Sequence, residues 1–335
     1  MRNETRLQFD QYTSQIAKLS GVSSALVSFS VDPTTQQKLE ARMQESSDFL
    51  GKINVVPVDE LSGEKVGVGV SSTIAGRTDT SGGGERVPND VTALDKNTYT
   101  CKKTDFDTAI PYSRLDAWAK FPNFQTVLRD AIIQRQALDR IMIGFNGTSA
   151  AATTNRVTSP LLQDVNTGWL QQYRENAPQR VLDEGTTAGK VRVGAGGDYA
   201  NLDALVYDAV NNLIDPWHQE DTGLVVILSR SLLHDKYFPL LNQDQPATEK
   251  IASDLIISQK RVGGLQAVRV PFVPAGALMI TSLANLSLYY QLGGRRRYIQ
   301  EKPSKNRIEN FESSNDAYVV EDYGLGCVVE NIELV

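Results

Sequence analysis

The sequence predicts an α+β protein, and three observations carry that reading. Residues 121–145 place Phe121, Phe124, Val127, Leu128, Ala131, Ile132, Leu138, Ile141, Met142 and Phe145 on one helical stripe. Strand-like runs at 224–228, 267–270, 278–281 and 286–291 follow one another instead of alternating with helices. A Gly-rich tract at 76–86 lies between two further strand-like segments. With 335 residues, the chain is long enough for roughly two domains.

The elements follow in order. Phe9, Tyr12, Ile16 and Leu19 recur at helical spacing and Ser20-Gly21 supplies a stop, which predicts a short amphipathic helix over 5–20. Residues 22–31 are small and polar and read as a linker; Asp32-Pro33 then restarts a helix as N-cap and first-turn residue. Val66, Val68 and Val70 alternate with glycines, the polar tract 76–86 follows, and residues 99–112 return as a strand. Together they predict a long protruding hairpin arm, which cannot build a core of its own. Pro122 suits the first turn of the 121–145 helix, and Gly144 with Asn146-Gly147 ends it. At 1.5 Å per residue that helix is roughly 37 Å long, a spine. A helix near 168–176 comes next, and the Gly/Thr-rich stretch 185–197, with a short strand at 191–193, marks a domain boundary. A helix carrying Leu202, Leu205, Val206, Ala209, Val210 and Leu213, the strand series, and final strands at 318–320 and 326–332 complete the chain.

Composition narrows the function. An apolar content of 41% excludes global disorder, and 34 basic against 40 acidic side chains give a net charge of −6, without the cationic excess of a dedicated nucleic-acid binder. Cys101 and Cys327 stand 226 positions apart with no CxxC spacing, which predicts buried small hydrophobes in a reducing compartment. The first residues scatter Leu7, Ile16 and Leu19 among polar ones, without the apolar centre of a secretory signal, and the longest apolar run, 224–228, is too short to span a membrane. The expectation is a chain made and kept in the cytoplasm, with no membrane partner.

The candidate catalytic constellations are weak. Gly194-Ala195-Gly196-Gly197 follows a strand and precedes a helix, but Tyr199 stands where a dinucleotide fingerprint needs its third glycine, so a plain turn capped by Asp198 is expected. His218 and His234 lie sixteen positions apart with no Cys nearby and no HExxH pattern. Ser229 and Ser231 lie near His234 and Asp235 without the GxSxG elbow, and the pairs Glu220-Asp221 and Glu321-Asp322 read as solvated turns. No enzyme, no cofactor and no metal is the expectation. A local basic stretch, Arg295, Arg296, Arg297, Lys302, Lys305 and Arg307, is a candidate contact patch for a neighbour's carboxylates or for DNA.

Several blocks resemble, in order along almost the whole chain, the major capsid proteins of P-two-type (Peduovirus-like) contractile-tailed bacteriophages. They are Met1 through Arg6, Met43 through Leu50, Ile53 through Val58, Gly144-Phe145-Asn146-Gly147, Leu162 through Val165, Gly196 through Ala200, Ile256 through Arg261 and Val319 through Tyr323. The resemblance implies the Hong Kong 97 phage capsid fold. It would run as an N-terminal assembly segment (1–29), an N-terminal arm (30–60), an extended loop (61–98), a peripheral domain with the spine helix (99–190 with 306–335) and an axial domain (191–305). It also implies a major capsid protein that assembles itself into hexamers and pentamers of an icosahedral head shell. Its partners would be an internal scaffold that is also a protease, a portal and, weakly, packaged double-stranded DNA, all brought together in the host bacterial cytoplasm. Another virion structural protein and a nucleotide-dependent cytoplasmic enzyme are the alternatives.

Within that frame, Arg77 and Arg86 on the Gly-rich arm are expected to meet acidic groups of an adjacent subunit. The arm tip carries no lysine, while Lys65 and Lys96 lie toward its base, so no isopeptide cross-link is expected. The resemblance places a maturation cut close to Phe29-Ser30. There some relatives carry a basic pair and this sequence reads Leu26-Val27-Ser28-Phe29.

Overall fold

A computed structural model describes residues 1–70, 75, 77–81, 85–87, 92–118, 124–233, 236 and 260–335. Its first half comprises α1 (Asn3–Leu19), β1 (Phe29–Ser30), α2 (Pro33–Glu45), β2 (Asn54–Val58), the long pair β3 (Ser62–Val70) and β4 (Thr92–Thr100), β5 (Lys102–Asp105), β6 (Thr108–Pro111), α3 (Tyr112–Trp118) and α4 (Phe124–Asn146). Then come α5 (Trp169–Asn176), β7 (Val181–Leu182), β8 (Val191–Val193), α6 (Leu202–Leu213), β9 (Leu224–Leu228), β10 (Arg261–Val262), β11 (Leu265–Arg269) and β12 (Leu278–Ser282). The chain closes with β13 (Leu286–Gln291), β14 (Arg296–Lys302), β15 (Arg307–Val320), β16 (Gly326–Val329) and β17 (Ile332–Leu334).

Local chemistry accounts for the helix boundaries. The Asp32 carboxylate accepts the backbone N–H of Thr34 at 2.9 Å, and Pro33 occupies the first turn of α2, where its missing N–H costs nothing. α6 is capped by Asn201, which accepts the N–H of Ala204 at 2.9 Å, and it buries Leu202, Leu205, Val206 and Ala209 along one face. Asp198, the expected cap, instead accepts bonds from Thr186 and from the Arg192 N–H, tying two turns together across the short strand β8.

Two sheets carry the fold. The first runs β1-β14-β15-β13-β2, with β5 and β6 also paired to β15; the second runs β10-β11-β9-β12-β16-β7. These pairings cut across the boundaries expected for the two domains. β13 and β14, inside the stretch assigned to the axial domain, belong to the sheet of β15, whereas β16 joins the second sheet against β12. The cause is the length of β15, which spans the first sheet and takes partners along both edges. One apolar cluster joins the sheets, from Ile141, Phe145 and Trp169 through Leu288 and Tyr318 to Ile227 and Met279.

The spine helix α4 differs from its expected stripe in its first half. Val127 is 65% exposed and Ala131 is exposed, while Phe121 lies outside the described residues. The second half turns two buried faces inward: Ala137, Ile141 and Phe145 to the apolar cluster, Gln136 and Arg140 to a polar one. Gly144 is required where it stands, because a Cβ there would sit 2.1 Å from the Trp169 ring. That ring donates its N–H to the Ser287 carbonyl at 3.0 Å and meets Phe49, Phe145 and Tyr318 edge-on or tilted.

Candidate functional site

Three junctions tie the N-terminal segments and the hairpin to the first sheet. At the first, α1 lies in a groove formed by α3, β14 and β15, where Phe9, Ile16 and Ala17 pack with Leu115, Ile299 and Ile308. Polar contacts fix its start: Thr5 Oγ1 donates to Asp116 at 2.7 Å, and Arg6 holds Glu301 through two bonds of 2.6 and 2.9 Å. Tyr112 donates to the same Glu301 at 2.7 Å; the Arg6 hydrogen bond, ahead of this one, holds the carboxyl below its usual range. The apolar stripe of α1 is thus satisfied on its own chain. Residues 22–31, expected as a linker, bury Ala25 and Val31 and add β1 to the edge of β14, Phe29 opposite Arg297 and Ser30 opposite Arg296. Two small buried side chains and a two-residue strand are too short a pattern to read from sequence, and their partner strand lies within the basic stretch 295–307.

At the second junction, α2 docks on a buried charge cluster. Its interior face consists of Gln36, Glu40 and Met43, spaced as one helical stripe. Glu40 bridges two arginines, accepting from both Arg140 terminal nitrogens and from Arg295 Nη1 at 2.9 Å. Arg140 also forks onto Asp316 at 3.0 and 3.1 Å, and Arg295 onto Glu312 at 2.9 and 2.6 Å, with Gln136 bonded to both Arg295 and Glu312. Burial opposes the charge on Arg140 and Glu312. Asp316 and Glu40 nonetheless raise the Arg140 pKa, and Arg295, Arg297 and the hydrogen bonds hold Glu312 down at about 2.

The third junction is the root of the β3–β4 hairpin, which pairs in register from Ser62 opposite Thr100 to Val70 opposite Thr92. Lys65 Nζ donates to the Val320 carbonyl at 2.9 Å and lies 3.4 Å from Glu321, and Tyr99 packs edge-on against Tyr289. Toward the tip, Arg77 and Arg86 are exposed and make no ion pair among the described residues. Much of the expected Gly-rich arm, including Gly76 and Gly82 through Gly84, lies outside those residues.

The six basic residues expected as one contact patch are dispersed. Arg295 is fully buried in the α2 cluster, and Arg297 is partly buried with bonds to Asn310 and to the Tyr12 hydroxyl. Lys302 and Arg307 both face Glu309, at 3.5 and 2.5 Å, leaving Arg296 and Lys305 exposed. The alternation of a strand explains the split, since consecutive side chains on β14 point to opposite faces. Sequence reading missed this strand, and with it Glu40, Gln136, Arg140, Glu312 and Asp316. The adjacent Tyr298 and Ile299 are the apolar residues within 296–302, too few to show a strand's alternation.

Of the weak catalytic constellations, Glu321 reaches a junction, the hairpin root, where it also accepts from the Tyr289 hydroxyl at 3.0 Å. His218 Nε2 lies 3.2 Å from Asp322, Asp221 accepts the Gly223 N–H as a turn residue, and Trp217 is 57% exposed beside His218. Ser229 and Ser231 hydrogen-bond to each other at 2.8 Å, while His234 and Asp235 lie outside the described residues. Both cysteines are free and buried, and burial pushes each thiol up to about 12. Among the described residues no group of three or more His, Cys, Asp and Glu is placed to hold a metal, and no helix is long and apolar enough to cross a membrane.

A family model described as phage major capsid protein, P2 family, matches residues 8–332. The capsid proteins of Escherichia phage P2 are 54% identical over 342 residues, covering 100% of this chain and 96% of theirs. The major capsid protein of Serratia phage KSP20 is 45% identical over 340 residues, covering 99% and 97%. Among solved structures, a chain of the satellite phage P4 procapsid that includes the size determination protein superposes with a TM-score of 0.83 at 52% identity, over 100% of this chain and 99% of that one. The capsid of a native GTA particle matches at a TM-score of 0.53 and 15% identity, over 86% and 91%, a likeness of fold alone.

Proposed function

The chain belongs to the P2 family of phage major capsid proteins, with their Hong Kong 97 type of fold, and builds the icosahedral shell of the virion head; from that premise we propose how its parts divide the work. The unit of the first sheet and α4 serves as the peripheral domain, and the unit of the second sheet and α6 as the axial domain near the centre of hexamers and pentamers. Residues 30–60 act as the arm and 61–98 as the extended loop, whose Arg77 and Arg86 reach acidic groups of an adjacent subunit. The loop tip carries no lysine to donate, so the shell is held by non-covalent contacts. Arg296 and Lys305, the exposed members of the basic stretch, are free to meet a neighbour's carboxylates or the packaged DNA. With a net charge of −6 the chain attracts that DNA only weakly, which suits a container wall.

The N-terminal segment 1–29 acts with an internal scaffold that is also a protease, alongside a portal, and is removed near Phe29-Ser30. The observation that supports this reading is local: Phe29-Ser30 is an edge strand, already extended as a protease requires, and it follows Leu26 and Val27, which are 51% and 66% exposed. Intact-mass measurement of the capsid subunit from DNA-filled particles tests it. A chain starting near Ser30 is the expected result; infectious particles whose subunit starts at Met1 would overturn it.

A further inference from the structure

We infer that Arg140 and Arg295 form a preorganised carboxylate socket and that Glu40 of α2 is its removable occupant, so that one carboxylate seats or releases the arm. The cluster divides unequally by origin. Arg140 and Gln136 come from α4, Arg295 precedes β14, and Glu312, Ser314 and Asp316 lie on β15. From outside the sheet and the spine helix comes Glu40 of α2, with Met43 Sδ of the same helix 3.6 Å from Arg140 Nη1.

The bonds divide the same way. With Glu40 withdrawn, Arg140 keeps its fork onto Asp316 and a 3.4 Å bond to Ser314, and Arg295 keeps its fork onto Glu312 and a 2.8 Å bond to Gln136. Two arginines then face two carboxylates, a balanced set that holds the first sheet to the spine helix without the arm. What withdrawal frees is an N–H on Nη1 of Arg140 and another on Nη1 of Arg295, aimed at one space beside Arg140 Nη2, which Asp316 and Ser314 still share. That is the geometry for binding one carboxylate.

The rest of α2 gives the arm little else to hold it. Besides Glu40 it buries only Met43 and Gln36, whose side chain pairs with the Gln291 carbonyl and the Gly293 N–H at 3.0 Å each. An interior face with two polar residues out of three docks by direction more than by apolar area. The joint between the N-terminal segment and the spine helix is therefore able to open while the sheet beneath it stays intact.

The test is chemical rescue in the full-length chain, read by hydrogen exchange with peptide resolution. Glu40→Ala empties the socket, and Glu40→Gln keeps the shape but removes the charge. Both are expected to speed exchange across residues 33–45 by about a hundredfold, as for a locally opened element, while 136–146 and 307–316 keep wild-type protection. Sodium acetate should restore the protection of 33–45 in Glu40→Ala, and neither acetamide nor an equal ionic strength of chloride should do so. Three results would overturn the inference: loss of protection spreading into α4 and β15, Glu40→Gln exchanging like wild type, or acetate acting no better than acetamide. If the alanine variant fails to fold, the glutamine variant decides through its exchange pattern alone.

Discussion

Beneath α2, the first sheet is closed by Glu40, Gln136, Arg140, Arg295, Glu312 and Asp316, whereas beneath α6 the second is closed by Leu205, Val206, Ala209, Val226, Ile280 and Cys327. Both interfaces are buried to the same degree, and they stabilise by different means. The apolar one gains from removing surface from water, wherever its partners sit. The polar one must recover the cost of desolvating five charges, which requires every donor to find its acceptor, so its contribution depends on geometry. The first interface therefore positions α2 in one register, and the second supplies bulk stability.

Removing one member from each interface should give the largest effects. Arg140→Ala leaves Asp316 buried without a charged partner and Glu40 with Arg295 alone, and should cost roughly 3–5 kcal/mol in denaturant unfolding of the purified subunit. Leu205→Ala, at a fully buried position, should cost about 2–5 kcal/mol through the cavity it leaves. The costs overlap in size, but the exchange patterns should differ. The first should deprotect α2 and β15, the second α6 and its sheet. A uniform loss of protection in both variants would break the comparison.

Acid sharpens it at a smaller amplitude. Glu312 is held at about 2 against an ordinary 4.5, so its contribution, on the order of 3 kcal/mol, is complete above pH 4.5 and drains away as pH falls toward 2. The penalty of Glu312→Gln should accordingly be greatest near neutrality and shrink through that window, while the penalty of Leu205→Ala stays level. Unfolding curves at pH 6 and pH 3 decide the matter; a Glu312→Gln penalty that does not change between them would mean the carboxylate has no special standing in the cluster.

The same contrast explains what could be read from sequence. α6 and the strands from Leu224 to Gln291 follow apolar periodicity, and the Asp32-Pro33 cap marks α2 without ambiguity. β14 and the first half of β15 read instead as Arg, Lys, Glu, Asn and Ser, a composition that pattern reasoning assigns to solvent. Those side chains are buried because they satisfy one another, and mutual satisfaction between positions 40, 140, 295 and 312 is a fact of tertiary structure with no local signature. The start of α4 is the converse case, since Val127 sits on the expected helical phase but faces solvent, while Leu128 beside it packs on the α1 groove. The N-terminal helix divides likewise: α1 was legible from its spacing, but its groove, made of Leu115, Ile299 and Ile308 from three distant elements, was not.

The smallest effect belongs to the α1 groove, where an ion pair of the same chemistry sits at the surface. Arg6 and Glu301 make two short bonds, as Arg140 and Asp316 do, yet Arg6 is 47% exposed and its partner 23%. Water and salt screen this pair, and fixing two long side chains offsets part of the attraction, so Arg6→Gln should cost at most about 1 kcal/mol. The apolar contacts of Phe9 and Ile16 remain, so α1 should stay seated and the cost should fade as salt is raised from low to molar concentration. Exchange of residues 3–19 in Arg6→Gln, measured at both salt levels, checks this. A salt-independent loss as large as that of Arg140→Ala would show that the surface pair, rather than the apolar groove, holds the helix, and the distinction between buried and exposed charge would then fail for this fold.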